Sequence, residues 1–529
     1  KTLYSFPVFY DFMSGPKISF VQLINFNGQN YYIGSGVNIS DTLSESIIAK
    51  GDNKITGNIS IIDEKPINRL EIDTRALPIS RLEEIIDALR RAIKQGSQAY
   101  WVCPLVEEND ELDLSAAQDR LIHLQSVFGD SVGLIHGKMK NDEKDNAMEL
   151  FKSGVTKILV ATTVIEATNQ VMTPLDPEMV TFVHAELRKH GVNLQLSNQV
   201  TEIKKDSVVT SNGNEIPADV VIAAIGVKPE VDLAKSAGLN IGPRGGIQVN
   251  NFNQTTDPDI YALGDAAEKI DSLDGSATLV PLANIANRHG RIIADHITGK
   301  KIREVTTQAT AIVKVFDLTV ATTGWNEKKL KAAGRDFVII HTHPSSHAGY
   351  YPGAQGMSLK LLVDKKTSLI LGAEAVGREG VDKRIDVIAT AMRGGITAPE
   401  LADLELAYAP PFSSAKDPVN MLGYISENVL SGITPTAQWY EVNDLVAQGW
   451  KVVDVRSKGE FDRGHVPNSI NISIDEMRER INEVPKEKIL VTCQVGQRGH
   501  AATRLLREMG YNAINLDGGY MTWSNSPAN

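Results

Sequence analysis

The period of the apolar positions changes several times along the chain, and each change predicts a different unit. Residues 17–24 read as a strand, Asn27-Gly28 as a hairpin turn, and 30–34 as its return strand. Leu82, Ile85, Ile86, Leu89 and Ile93 keep helical spacing, and Gly96 closes that helix. Apolar strands follow at 99–105, 132–136 and 157–162, with helices predicted near 116–128 and 143–152 between them. Strands that alternate with helices predict a parallel sheet with crossovers. Asp176-Pro177 opens a helix that runs to about His190, and Asn212-Gly213 marks a hairpin. Apolar strands are predicted at 218–226, ending on Gly226, and before Gly264-Asp265. Residues 304–431 form a separate α+β pattern. Beyond an edge at Pro435 the pattern is α/β again, with strands at 451–455 and 488–492 and a helix over roughly 500–509. The predicted units are 1–57 (β-rich), 58–165, 166–303, 304–431 and 432–529, an α/β multidomain chain.

Composition narrows the class. Hydrophobic content of 42% and charged content of 22% are those of a globular chain. A net charge of −11 argues against a broad nonspecific grip on nucleic acid. The only cysteines, Cys103 and Cys493, lie far apart, so no disulfide framework is predicted and a reducing cytoplasm is expected. No apolar run reaches the length of a membrane span, and residues 1–12 do not read as a signal peptide. Lys1 stands where Met would begin a chain, so a preceding segment is expected. No metal-ligand pattern stands out.

The sharpest chemistry is at Cys493. A strand delivers it to a tight loop, Cys493-Gln494-Val495-Gly496-Gln497-Arg498, directly before a helix. A cysteine there faces unpaired backbone N–H groups and the positive end of the helix dipole, and Arg498 adds a positive charge. Both favour the thiolate, which is the nucleophile. Upstream stand Asp454-Val455-Arg456, Glu460-Phe461 and Gly464-His465-Val466-Pro467. Together these blocks resemble the rhodanese family, which moves sulfane sulfur through a cysteine persulfide cradled by loop amides. The resemblance implies that residues 432–529 are a sulfurtransferase domain, with Cys493 and Arg498 catalytic and small-molecule sulfur donors and thiols as partners.

The Gly226 strand, the segment ending in Gly264-Asp265 and the run 280–284 resemble the pyridine nucleotide-disulfide oxidoreductases. The resemblance implies FAD at Gly264 and Asp265, and NAD(P)H at Glu166, for which a structural or solvated role is the alternative. It implies that 304–431 is a dimerisation domain, hence a homodimer. Residues 347–353 and 408–417 look like coenzyme A-disulfide reductase, which implies that Tyr350 and Tyr408 approach the partner subunit's coenzyme A site. One departure is plain: no G-x-G-x-x-G dinucleotide loop occurs in the sequence. Cofactor sites within 166–303 are therefore expected to be partial, and residues 243–247 to be only a turn.

Residues 59–166 resemble the second motor lobe of RecG-type DNA helicases, through 61–66, 98–108, 134–139 and 160–166. No G-x-x-x-x-G-K-[ST] phosphate loop accompanies them, so a truncated parallel βα lobe without motor function is expected. Cys103 reads as a core residue. Residues 1–43 faintly resemble the end of a Cache sensor domain. The sequence is thus that of a composite chain, switching family at Val164-Ile165-Glu166. Its expected function is sulfur transfer at Cys493, fused to the rear part of a coenzyme A-disulfide reductase-like flavoprotein. The alternatives are a working FAD- and NAD(P)H-dependent disulfide or persulfide reductase, and a helicase remnant that binds nucleic acid.

Overall fold

The computed structural model describes strands at 17–26, 29–38, 99–100, 132–134 and 158–160, residue 128, and residues 162–527 apart from 206, 219, 220 and 305. Helices expected at 82–93 and 143–152, the helix at 116–128 short of its last residue, and Cys103 lie outside the described residues. Strands β1 (Lys17–Phe26) and β2 (Gln29–Asn38) pair antiparallel with Phe26 opposite Gln29, and the turn expected at Asn27-Gly28 lies outside the described residues. Strands β3 (Ala99–Tyr100), β4 (Val132–Leu134) and β5 (Ile158–Val160) are parallel in the order β3-β5-β4, as strand–helix alternation predicts.

Strand β6 (Thr162–Ile165), helix α1 (Pro177–Lys189) and strand β7 (Val192–Gln195) make a parallel β-α-β unit. Strands β8 (Val200–Ile203), β9 (Ser207–Thr210) and β10 (Glu215–Pro217) form an antiparallel sheet. The predicted Asn212-Gly213 turn joins the last two, with Gly213 at φ +84°.

Two expected strands are not formed. Among the described residues, 221–226 find no strand partner, and Ile222 and Ile225 are 79% and 95% exposed. An apolar run becomes a strand only where a neighbour takes its backbone hydrogen bonds, and none adjoins this one. Before Gly264-Asp265 there is only an isolated pairing of Gln254 with Tyr261, followed by a 3-10 turn over Gly264–Ala266. Short strands β11 (Lys269–Ile270) and β12 (Ala277–Thr278) follow, then helix α2 (Ala283–Ile297), which buries Ile285, His289 and Ile293.

The chain divides into two compact units, residues 1–86 with 224–307, and residues 87–223 with 308–529. The stretch 166–303 is therefore split at 223/224. The second unit is built on an antiparallel sheet of β13 (Ala311–Val315), β14 (Leu318–Gly324), β15 (Phe337–Thr342), β16 (Met357–Asp364) and β17 (Ile370–Gly377), in the order β13-β14-β17-β16-β15. Side chains alternate across it. Leu359, Leu361, Ala373 and Ala375 face a core shared with α3 (Val381–Gly394) and α4 (Pro418–Leu430). Val320 and Val376 face the other way, against Met179, Val180 and Val183 of α1. Each fully buried Val or Leu contributes about 1.5–3 kcal/mol.

The α1 face also carries charge. His341, Lys360 and Glu374 stand directly opposite one another on β15, β16 and β17, and all are buried. Lys360 Nζ lies 2.9 Å from Asp176, 2.5 Å from Glu178 and 2.7 Å from Glu327. Burial and the Asp176 carboxylate hold the Glu374 carboxyl well above its usual range, which makes it the neutral member.

The C-terminal sheet is parallel: β18 (Thr436–Ala437), β19 (Lys451–Asp454), β20 (Ile470–Asn471), β21 (Ile489–Thr492) and β22 (Ala513–Leu516), ordered β18-β22-β21-β19-β20. Helix α5 (Gln497–Glu508) starts earlier than its apolar spacing predicts, because Gly496 ends the loop in the left-handed conformation at φ +89°. This sheet docks on the antiparallel one through a buried pair, His341 Nδ1 to Asp517 at 2.7 Å, and a half-buried one, His343 Nε2 to Thr522 at 2.7 Å.

The two histidines respond oppositely to pH. Burial opposes charge on His341, but the hydrogen bonds it donates to the Asp517 and Glu178 carboxylates prevail and raise it to about 9. Its contribution is full below the ordinary value of 6.5 and is lost as pH rises through about 9. Burial, then the charge of His341, pushes His343 down to about 3, so its contribution is full above 6.5 and falls as pH drops toward 3. Melting temperature against pH should peak near 6.5, and His341→Asn should flatten the alkaline limb. An unchanged alkaline limb in that variant would remove His341 as its cause.

Candidate functional site

Strand β21 carries Cys493 to the end of the parallel sheet, and the chain turns at once into α5. The sulfur-bearing residue is fully buried. Among the described residues, no backbone N–H of 494–499 donates to a protein acceptor, so the amides of the loop and the first helical turn stay free. The loop is held from outside instead. Tyr520 N–H donates to the Cys493 carbonyl at 2.7 Å, Met521 N–H to the Gln494 carbonyl at 2.9 Å, and Asn515 Nδ2 to the Gly496 carbonyl at 3.1 Å. A side chain at Gly519 would overlap the Cys493 carbonyl, which explains the glycine there. A Cβ on Gly499 would lie 3.7 Å from Cys493 Sγ, so the first turn of α5 opens onto the sulfur.

Arg456 joins the separated motif blocks. Its buried guanidinium bonds Asp454 at 2.7–3.1 Å, Gln494 Oε1 at 3.0 Å and the Gly464 carbonyl at 2.7 Å, and it stacks 4.3 Å from the Tyr520 ring. Sequence reasoning missed the structural weight of Arg456, Asn515 and Tyr520. The available signals were the Asp-x-Arg pair at a strand end and the Gly518-Gly519 step before an aromatic residue.

Arg498 sits in the first turn of α5, but its fork is engaged by Glu460 at 2.8 and 2.6 Å. That bond holds Glu460 down at about 2 and raises Arg498 above its usual value. The positive charge predicted beside Cys493 is therefore shared with a carboxylate. Gln494, Val495 and Gly496 form the turn between Cys493 and α5, and Gln497 is the first residue of the helix.

Tyr350 and Tyr408, 58 residues apart, meet with hydroxyls 3.3 Å apart on an exposed face. Buried Arg384 pins both loops, reaching the Ser346 carbonyl at 2.8 Å and Asp417 at 3.0 Å. Tyr350 and Phe412 stand 78% and 71% exposed, which leaves an aromatic surface on this face.

The cofactor candidates fare differently. Glu166 ends β6, but its carboxylate accepts from Thr168 N–H at 2.8 Å and Thr168 Oγ1 at 2.9 Å, closing its own turn. Gly264 and Asp265 belong to the other unit. There Lys269 Nζ donates to the Gly264 carbonyl, and to the Ala267 carbonyl at 2.8 Å. Burial lowers Lys269 to about 8, against the pull of Asp265. These residues do not by themselves fit FAD or NAD(P)H: no glycine-rich phosphate loop accompanies them in the sequence. Glu186, His190 and Asp317 come within reach of one cation, but the Arg378 guanidinium, 3.2 Å from Asp317, already serves as that cation.

Four family models match the chain. Pyridine nucleotide-disulphide oxidoreductase matches 146–290, its dimerisation domain 310–418, the rhodanese-like domain 438–526, and the helicase conserved C-terminal domain 80–171. The first and last overlap over 146–171, which contains the switch at 164–166. The coenzyme A disulfide reductase of Staphylococcus haemolyticus is 34% identical over 50% of this chain and 59% of its own length. That of Staphylococcus aureus is 32% identical over 58% of this chain and 75% of its own. The crystal structure of reduced Bacillus anthracis CoADR-RHD is 41% identical with a TM-score of 0.68, covering 82% of this chain and 76% of that one. An NAD-dependent persulfide reductase from A. fulgidus is 34% identical with a TM-score of 0.65, covering 84% and 74%. The chain thus spans about three fifths of the first curated relative. No helix among the described residues is long and apolar enough to cross a membrane.

Proposed function

The chain belongs to the pyridine nucleotide-disulphide oxidoreductase family, and from that premise we propose that it works in reductive sulfur chemistry, with Cys493 as a carrier of sulfane sulfur. The observation that carries this reading is the Cys493 loop: a buried sulfur, free amides over it, and a helix start behind it. Those groups suit a thiolate and then a persulfide. The Cys493 thiolate attacks the outer sulfur of thiosulfate, the S–S bond breaks, and sulfite leaves with its electron pair. A thiophilic acceptor such as cyanide then takes the outer sulfur as thiocyanate and returns the thiolate. The test is thiocyanate formation from thiosulfate and cyanide, with mass spectrometry showing one added sulfur on the Cys493 peptide. Absence of both ends the reading.

The matches to reductases favour, as the second reading, reduction of a coenzyme A disulfide or persulfide over sulfur transfer alone. The Tyr350–Tyr408 pair supports it as a coenzyme A contact, and the match to a dimerisation domain goes with a homodimer. FAD and NAD(P)H would supply hydride and electrons, and the chain carries no G-x-G-x-x-G loop for either. The purified chain should therefore show little flavin absorbance, and NAD(P)H oxidation by coenzyme A disulfide should stay at background with FAD added. A stoichiometric yellow band would overturn that expectation. The helicase-like stretch, without a phosphate loop, is expected to show no DNA-stimulated ATPase activity.

A further inference from the structure

We propose that His341 and Asp517 form a clasp by which the antiparallel sheet positions the Cys493 loop, making both positioning residues for the sulfur chemistry. The inference rests on the reading of Cys493 as a sulfur carrier. His341 N–H donates to both Asp517 carboxylate oxygens, at 3.2 and 3.0 Å, and its ring Nδ1 lies 2.7 Å from Oδ2. Ring Nε2 lies 3.0 Å from Glu178 Oε1, so the imidazole is held from both sides. Gln438 Nε2 closes the same group, reaching Asp517 and the Ile339 carbonyl at 3.2 Å each. Both clasp residues are buried, at 2% and 3% exposure.

The residues just after Asp517 make the contact more than a docking pair. Gly518 and Gly519 are both left-handed, at φ +64° and +63°. A Cβ on Gly518 would come within 2.8 Å of the His341 Cβ, and one on Gly519 would strike the Cys493 carbonyl. The next two residues donate their N–H groups to the Cys493 and Gln494 carbonyls. Five consecutive residues, 517–521, therefore run from the imidazole to the backbone of the sulfur loop with no side chain to spare. Two adjacent left-handed residues are open to glycine without steric cost, and ordering two glycines there costs backbone entropy that fixed neighbours offset. Here Asp517 is fixed on one side and the Cys493 loop on the other.

The clasp can be cut on either side of the imidazole. In His341→Asn the side-chain amide stands about where Nδ1 stood, so it donates to Asp517 and abandons Glu178. In His341→Gln the amide reaches about as far as Nε2, so it donates to Glu178 and gives up the side-chain bond to Asp517, which keeps only the backbone N–H of residue 341 and Gln438 Nε2. Both lose one buried partner, and a purely structural role predicts similar behaviour for the two. The first readout is the rate at which iodoacetamide alkylates Cys493 in the full chain, followed on its peptide by mass spectrometry. A loosened loop exposes the buried sulfur. His341→Gln should react roughly tenfold faster than wild type and His341→Asn within about twofold, since small misplacements near a reacting atom change rates by such factors. The second readout is thiocyanate formation, where Gln should lower kcat roughly tenfold with little change in KM and Asn should preserve it. Equal alkylation rates in the two variants overturn the proposal. If wild type forms no thiocyanate while the alkylation split persists, the clasp stands and the sulfur-carrier reading falls. Should either variant fail to fold, Asp517→Asn, of the same shape, decides: faster alkylation supports the clasp and wild-type rates overturn it.

Discussion

Cys493→Ser is expected to bring thiocyanate formation from thiosulfate and cyanide to background while the folded state survives. Serine fits the space of the buried cysteine, and among the described residues no hydrogen bond to Sγ has to be replaced. Its hydroxyl is a poor nucleophile without an adjacent base, and the groups around the loop are amides and arginines rather than bases. The loss should be on the order of 10³-fold or more, the scale of removing a nucleophile. Arg498→Ala should cost less, roughly five- to tenfold, because Glu460 already answers much of its charge and the amides remain. Cys103→Ser should leave the rate unchanged and serves as the internal control. Wild-type activity in Cys493→Ser would place the sulfur carrier elsewhere.

The parts of this site that were legible in the sequence are those set by local chain geometry. A strand running into a cysteine, a glycine and a helix can be read from adjacent residues; Cys493 and Gly496 stand where that reading puts them, and α5 begins earlier than its apolar spacing predicts. The antiparallel pairing of β1 with β2 and the helix opened by Asp176-Pro177 come from turn and cap signals in the same way. Strands are different, because they need a partner that local sequence does not name. The run at 218–226 has the apolar content of a buried strand, yet its described residues stand exposed and unpaired. The charge on Arg498 was legible but its partner was not, since Glu460 lies 38 residues away. Nor could the pattern show that Lys360, within an apolar strand, is a buried cation rather than a solvated edge residue. The carboxylates that meet it come from two distant segments, Asp176 and Glu178 at the start of α1 and Glu327 far along the chain.

That lysine carries the largest expected effect on stability. Lys360→Met keeps the length and apolar stem of the side chain, so packing within β16 is little disturbed, but it removes the cation that Asp176, Glu178 and Glu327 share. Burial alone would raise the Glu178 carboxyl; Lys360 and His341 together pull it well below the usual carboxylate range. Without Lys360, burial acts against fewer opposing charges. Asp176 Oδ1 and Glu178 Oε2 already lack hydrogen-bond partners, so the cluster has no spare donor to compensate. Breaking a buried ion pair on one side costs about 3–5 kcal/mol, which should appear as a lower urea midpoint for the second unit. The same groups set the sign of the pH effect. In wild type the depressed Glu178 contributes stability above its ordinary value of 4.5, and that contribution is lost as pH falls. In Lys360→Met the abandoned carboxyls can take up protons instead, so the gap between variant and wild type should narrow as pH is lowered toward about 5. Lys331→Met removes a largely exposed partner of Glu327 and should cost less than about 1 kcal/mol. A Lys360→Met midpoint equal to that of Lys331→Met would show that the buried cation does not hold α1 and β16 together.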